Sequence, residues 1–309
     1  MLTVTGAGIA SAWVIGPDVS SYNHGNGSTL DWAAVHNVGR ATFVFIKATE
    51  GGGYTNPTFA SDFAAAGSIS LVRGAYHFAR PGGGTAPEIF ANAVAQANQF
   101  GQTVGTLAGP GNLPPVLDLE DAANLNSDQL TFWTQTWLDQ VRKLTGRSPI
   151  LYTNPGFWKQ SMGNSGAFTS YPLWLAHYGV PTPEMVGGWK SFTFWQFTDS
   201  AHIAGASASV DMSMFNGSVA ELMAMTVSPT EAAANAAAVA SAAAASTLAA
   251  AAVATDAATA AATARTRIYT SMLTKPSTTT RTDITNSDAG LLARLSVNGL
   301  DGGSPFLGR

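Results

Sequence analysis

The stretch Leu113-Pro114-Pro115-Val116-Leu117-Asp118-Leu119-Glu120-Asp121 sets two carboxylates at positions i and i+2. In a strand such residues project from the same side, so Asp118 and Glu120 face one direction. Val116 then lies below them, and Leu117 and Leu119 belong to an outer layer. Two carboxylates this close do not both ionise freely: one pKa rises, and a protonated acid survives toward neutral pH. Glycoside hydrolysis needs such a pair, an acid to protonate the leaving oxygen and carboxylates to stabilise an oxocarbenium-like centre. A solvated strand end followed by loop acids is the competing explanation. Two further acids bear on the choice. Asp18, in Gly16-Pro17-Asp18-Val19-Ser20, ends the first strand-like run, and Asp211, in Val210-Asp211-Met212, ends the last. First and last strands are neighbours in a closed barrel, which brings both acids to one mouth. Otherwise Asp18 is a turn or cap residue and Asp211 a lone loop acid.

Aromatic and amide side chains recur at the same strand ends: Tyr76-His77-Phe78, Tyr152, Trp174, Tyr178 and Trp195-Gln196-Phe197. Each alone reads as core. Collected at one rim, they favour carbohydrate, because aromatic faces stack on sugar C–H surfaces while Tyr and Gln hydrogen-bond hydroxyl or acetamido groups. Other chemistries lack their residues. None of the five His makes an H-E-x-x-H pair, there is no G-x-S-x-G elbow, and neither Gly51-Gly52-Gly53 nor Gly82-Gly83-Gly84 is followed by a phosphate-loop Lys. Those glycine runs read as flexible rim loops, and Lys47 with Glu50 as a surface ion pair or a substrate contact. The absence of Cys excludes disulfides and thiolate metal sites. A net charge of −4 argues against a basic nucleic-acid face.

Strand candidates are Trp13–Asp18, Thr42–Ala48, Ser70–Phe78, Pro114–Glu120, Ser148–Thr153, Leu173–Tyr178, Ser191–Phe197 and Ser209–Met212. Helical runs fall at Pro57–Ala66, Ala86–Gly101, Ser127–Thr145 and Pro155–Gln160, with Asn126, Ser127 and Asp128 as caps for the third. The alternation predicts a parallel βαβ series closed into a small, irregular α/β barrel of eight strands with few helices. An open doubly wound sheet is the alternative.

The chain splits in composition. All 8 Trp lie between Trp13 and Trp195, while residues 232–264 hold 22 Ala in 33 positions. The expected division is a barrel domain over 1–225 and an Ala-rich helical extension with a Thr/Gly-rich tail over 226–309. Pro229 and Glu231 suit a helix start, and Pro276 ends it. A continuous helix over 230–273 would be about 65 Å long. Ser, Thr, Asn and Asp lace this stretch and argue against a membrane span. The first 15 residues lack the features of a secretory signal.

With these segments in order, the chain resembles glycoside hydrolase family 25, the Chalaropsis-type lysozymes common among phage endolysins. The resemblance runs from Gly16-Pro17-Asp18-Val19-Ser20-Ser21-Tyr22 through Asp31-Trp32, Phe45–Gly51, Gly74–Phe78, Pro115–Glu120, Pro149–Thr153, Pro172–Tyr178 and Phe194–Phe197 to Val210-Asp211. The family pattern usually has Ile where Pro17 stands and often Asn where Ser213 stands. The resemblance implies cleavage of the β-1,4 bond between N-acetylmuramic acid and N-acetylglucosamine in peptidoglycan. It makes Glu120 the general acid/base and Asp118 the partner that orients the acetamido group or stabilises charge. Asp18 and Asp211 complete the cluster; Tyr76, Tyr152, Trp174, Tyr178 and Gln196 are the candidate substrate contacts. No metal or cofactor is implied. Action is expected at the bacterial wall, after release through a membrane lesion or delivery on a virion. The extension would then serve as a stalk that oligomerises or docks to a virion partner, or as a wall-targeting tail. A wall-binding or structural phage protein with a lysozyme-like barrel is the alternative function.

Overall fold

The computed structural model describes residues 13–24, 29–228 and 230–234, together with positions 237, 241, 259 and 263. Nine strands occur among these residues. In chain order the elements are β1 (Ile15–Val19), α1 (Trp32–Asn37), β2 (Phe43–Glu50), β3 (Tyr54–Thr55), α2 (Phe59–Ser68), β4 (Val72–Phe78), α3 (Ala86–Val104), β5 (Val116–Asp118), α4 (Ser127–Thr145), β6 (Ile150–Thr153), α5 (Pro155–Gln160), β7 (Leu173–Ala176), β8 (Phe194–Ala201), β9 (Val210–Phe215) and α6 (Val219–Ala224). The sheet runs β1-β9-β8-β7-β6-β5-β4-β2, closes through a β1–β2 pairing, and carries β3 on the flank of β2. It is therefore an eight-stranded closed barrel with one extra hairpin strand.

Sequence alternation builds two apolar layers. In β2, Phe43 and Phe45 point inward with Val116, Ile150, Trp174 and Phe194, while Val44 and Ile46 point outward with Leu117, Leu151 and Leu175. The interior is filled by rings: Phe45 stacks on Trp174 at 4.2 Å, and Phe43 meets Phe194 edge-on at 5.1 Å. Two glycines make room for them. A Cβ on Gly16 would lie 2.0 Å from the Phe43 carbonyl oxygen, and one on Gly74 would lie 2.4 Å from the Phe45 ring. Outside, α4 buries Leu130, Trp133, Trp137, Leu138 and Val141. Its start is a capping box between Asn126 and Gln129, and its end is Gly146 in the left-handed region at φ 71°.

The predicted all-parallel series needs one correction. β9 runs antiparallel to both β1 and β8. Asp211 therefore lies at the start of its strand, not at its end. An antiparallel strand reaches the mouth with its N-terminal end, so the acid still arrives there. Two further corrections concern loops and short helices. The Gly51-Gly52-Gly53 run is the turn of the β2–β3 hairpin, with Gly51 at φ 54°. Helices α1 and α6, six residues each, were not legible as periodic patterns.

The chain divides into compact units over Met1–Ser241 and Ala242–Arg309. Val227 is buried and exchanges backbone hydrogen bonds with Gly111 and Asn112, so the first unit continues past residue 225. Described positions of the Ala-rich stretch, 230–234, 237, 241, 259 and 263, are helical. The rest of the expected helix and the Thr/Gly-rich tail lie outside the described residues. Among the described residues no helix is long and apolar enough to cross a membrane.

Candidate active site

The acids meet at the end of the barrel where the parallel strands finish. Asp18 and Asp211 are direct partners in the β1–β9 register. Asp118 closes β5, and Glu120 follows two residues on. Asp18 and Asp118 are buried, Asp211 is half-buried and Glu120 is the most open. Gln196 Nε2 donates to Asp18 Oδ2 at 2.8 Å and to Asp211 Oδ2 at 3.1 Å. Asp118 Oδ1 is buried without a hydrogen-bond partner, a costly state for a carboxylate oxygen unless a ligand meets it.

All four acids hold their protons above the ordinary range. Burial raises Asp118 first, and the charge of Glu120 adds to it. Asp18 is raised by burial and then by Asp211. Burial raises Asp211 to about 6, with help from Asp199 and Glu120. Glu120 is raised by burial, while Arg80 and Lys47 pull it back. Those two cations belong to one network of charges. Lys47, buried, pairs with Glu50 and lies 4.7 Å over the Phe78 ring; Arg80 bonds Glu50 at 2.8 Å and Asp121 at 2.6 Å. The Lys47–Glu50 contact is thus one link in a chain of charges beside the acids. Arg80 carried no sequence signal of its own, and Asp121 read only as a loop acid after Glu120.

A cleft of about 560 Å³ opens beside Glu120, walled by Tyr152, Asn154, Lys159, His177, Tyr178 and Glu184. Lys159 pairs with Glu184 across its rim. Tyr178 is 40% exposed there. Tyr76 is half-buried, and Asp18 and Asp118 add to the burial that raises its pKa. Trp174 corrects its expectation. It is 2% exposed, stacked on Phe45, and donates Nε1–H to Ser213 Oγ at 2.9 Å, so it belongs to the barrel interior beneath the cleft. His77 is also structural. It is buried against Trp137, with Nδ1 on Thr49 Oγ1 and Nε2 on Gln96 Oε1; Gln96 turns its amino group to Arg80, leaving its oxygen to accept from His77. Burial lowers the His77 pKa to about 4. Among the described residues no group of three acid or imidazole side chains is arranged to hold a metal ion.

The sequence profile of the Glycosyl hydrolases family 25 matches residues 17–206. The chain belongs to this family. Lysozyme M1 of Streptomyces globisporus is 34% identical over 220 residues, covering 69% of this chain and 71% of that protein. The N,O-diacetylmuramidase of Chalaropsis sp is 37% identical over 215 residues, covering 66% and 96%. A solved bacterial lysozyme from Streptomyces coelicolor superposes with a TM-score of 0.63 at 31% identity, covering 70% of this chain and 98% of that one. As a family 25 glycosyl hydrolase the chain is a glycoside hydrolase. Asp18, Asp118 and Glu120 lie inside the matched span. Asp211 lies beyond it and takes its place through the pairing with Asp18.

Proposed function

We propose that this protein is a muramidase that hydrolyses the β-1,4 bond between N-acetylmuramic acid and N-acetylglucosamine in bacterial peptidoglycan. The observation that carries the reading is the gathering of four proton-retaining carboxylates, from three separate stretches of the sequence, beside a cleft large enough for sugar rings. Glu120, opening on that cleft, is the general acid that protonates the glycosidic oxygen and then the base that activates water. Asp118 accepts the acetamido N–H of the sugar on its free Oδ1, orienting that group and stabilising positive charge. Asp18 and Asp211 keep the mouth negative around the oxocarbenium-like centre. Tyr76, Tyr152 and Tyr178 are the substrate contacts. The site works at the cell wall. We assign the catalytic barrel to the first 225 residues together with the stretch through Val227 that packs on it, and we read delivery as that of a phage lysin, through a membrane lesion or on a particle, with the Ala-rich extension as a stalk that oligomerises or docks there. The helical described positions beyond residue 229 support the stalk.

The test is lysis of a peptidoglycan suspension followed by turbidity. The wild-type chain should clear it, and Glu120→Gln should lose activity by about 10³-fold or more while keeping its fold. Full activity in that variant would overturn the assignment. Sedimentation with peptidoglycan but no clearing by the wild type would favour a wall-binding particle protein instead.

A further inference from the structure

The amide of Gln196 has no valence left for a sugar. Its two hydrogens go to Asp18 Oδ2 and Asp211 Oδ2, at 2.8 and 3.1 Å. Its oxygen accepts from Tyr152 Oη at 2.8 Å and from Tyr178 Oη at 2.6 Å. An amide offers two donor hydrogens and two acceptor lone pairs, and all four are engaged. The residue is 1% exposed and sits in β8 between Ala176 of β7 and Ser213 of β9. It ties the directly paired Asp18 and Asp211 of β1 and β9 to Tyr152 of β6 and Tyr178 after β7, across the barrel mouth.

We propose that Gln196 is a positioning residue for the hydrolysis: one saturated amide fixes Asp18 and Asp211 along its amino edge and turns two phenols toward the cleft with only lone pairs to offer. This corrects the expectation that Gln196 meets substrate, and it rests on the muramidase reading. It also sets a chemical preference. Tyr152 and Tyr178 have spent their hydrogens on Gln196, so a substrate group that meets them must be a donor, a sugar hydroxyl or an acetamido N–H, and not a carbonyl or carboxylate.

The charges and titratable groups around the amide are Asp18 from β1, Asp211 from β9, Asp199 from β8, Asp118 and Glu120 from β5 and its end, Tyr76 from β4, Tyr152 from β6, Tyr178 after β7, and Lys47 from β2. An N–H donated to a carboxylate favours its charged form, and the Gln196 bond lowers the Asp18 pKa against the burial that raises it. Removing the donor makes both aspartates hold protons to higher pH.

The experiment measures kcat and KM against pH on soluble glycan chains from peptidoglycan for the wild type, Gln196→Met and Gln196→Glu. For Gln196→Met, KM should stay within about twofold while kcat falls at least about tenfold. Its acid limb should move up by about one pH unit. For Gln196→Glu, the protonated side chain restores one donor and one acceptor, so activity should survive at low pH and its alkaline limb should fall about one unit earlier than wild type. Wild-type kcat and acid limb in Gln196→Met overturn the proposal, as does a raised KM at unchanged kcat, which would mark a substrate contact. If Gln196→Met fails to fold, Gln196→Glu decides: a profile lowered in parallel with the wild type at every pH marks a merely structural residue and overturns it. An inactive wild type sinks the muramidase reading first, and this proposal with it.

Discussion

Burial lifts Asp211 to about 6, and it raises Glu120 by the same physics while leaving it open to the cleft. These two effects bound the pH range of catalysis. On the proposed roles, loss of the last proton held by the raised cluster sets the alkaline limb, and loss of its remaining negative charge sets the acid limb. Because the four groups interact, the limbs belong to the cluster and not to single residues. The kcat/KM profile should be bell-shaped, with its maximum near mildly acidic to neutral pH, and activity rising steadily into alkali would contradict this. The raised pKa values also act on stability. A carboxyl that holds its proton longer folded than unfolded makes the fold less stable as pH rises through that interval. Asp118→Asn removes one such group. It should lose most activity yet raise the thermal midpoint at pH 7 by about 2–4 °C, measured by calorimetry; an unchanged or lower midpoint would count against a strained carboxylate at 118. At this scale much was legible. Asp118 and Glu120 announce themselves by their i, i+2 spacing between apolar residues. Trp174 and Gln196 did not reveal their roles, because a strand-end position does not say whether a side chain points into the cleft, into the core beneath it, or is saturated by neighbours.

The strands place these groups, and the tightest constraint lies where β1 crosses β2. Gly16 abuts the Phe43 carbonyl, so any side chain there must push apart the strand that carries Asp18. Gly16→Ala should destabilise the barrel by about 1–3 kcal/mol, or more if the strands cannot shift. Chemical denaturation checks this, and a wild-type midpoint would mean the crossing is looser than described. The helix pattern was legible where an element is long, as in α4 over Ser127–Thr145, or where its start is marked, as in short α5 over Pro155–Gln160 with Asn154 as N-cap and Pro155 at its first position. The direction of β9 was not, since an apolar run reads the same in either sense; the connection over 202–209, short for a parallel crossover, is the one signal that favours the antiparallel direction. Short α1 and α6 offer too few turns for periodicity to show.

At the scale of the molecule, the aromatic residues concentrate in the barrel, and only Tyr269 and Phe306 lie after residue 218. If the Ala-rich extension is an oligomerising stalk, light scattering after size exclusion should show a larger assembly for the full chain than for one ended after Ser241, with equal specific activity per barrel on peptidoglycan. Identical monomers would remove the oligomeric stalk. The fold class and the family followed from the ordered segments of the first 217 residues; the extension's function did not, because Ala repeats favour a helix without specifying what it touches.

The central claim concerns which bond is cut. Peptidoglycan digested by the wild-type chain, reduced with borohydride and analysed by mass spectrometry should yield fragments ending in reduced N-acetylmuramic acid. Fragments ending in reduced N-acetylglucosamine, or intact glycan strands freed of peptide, would contradict the account.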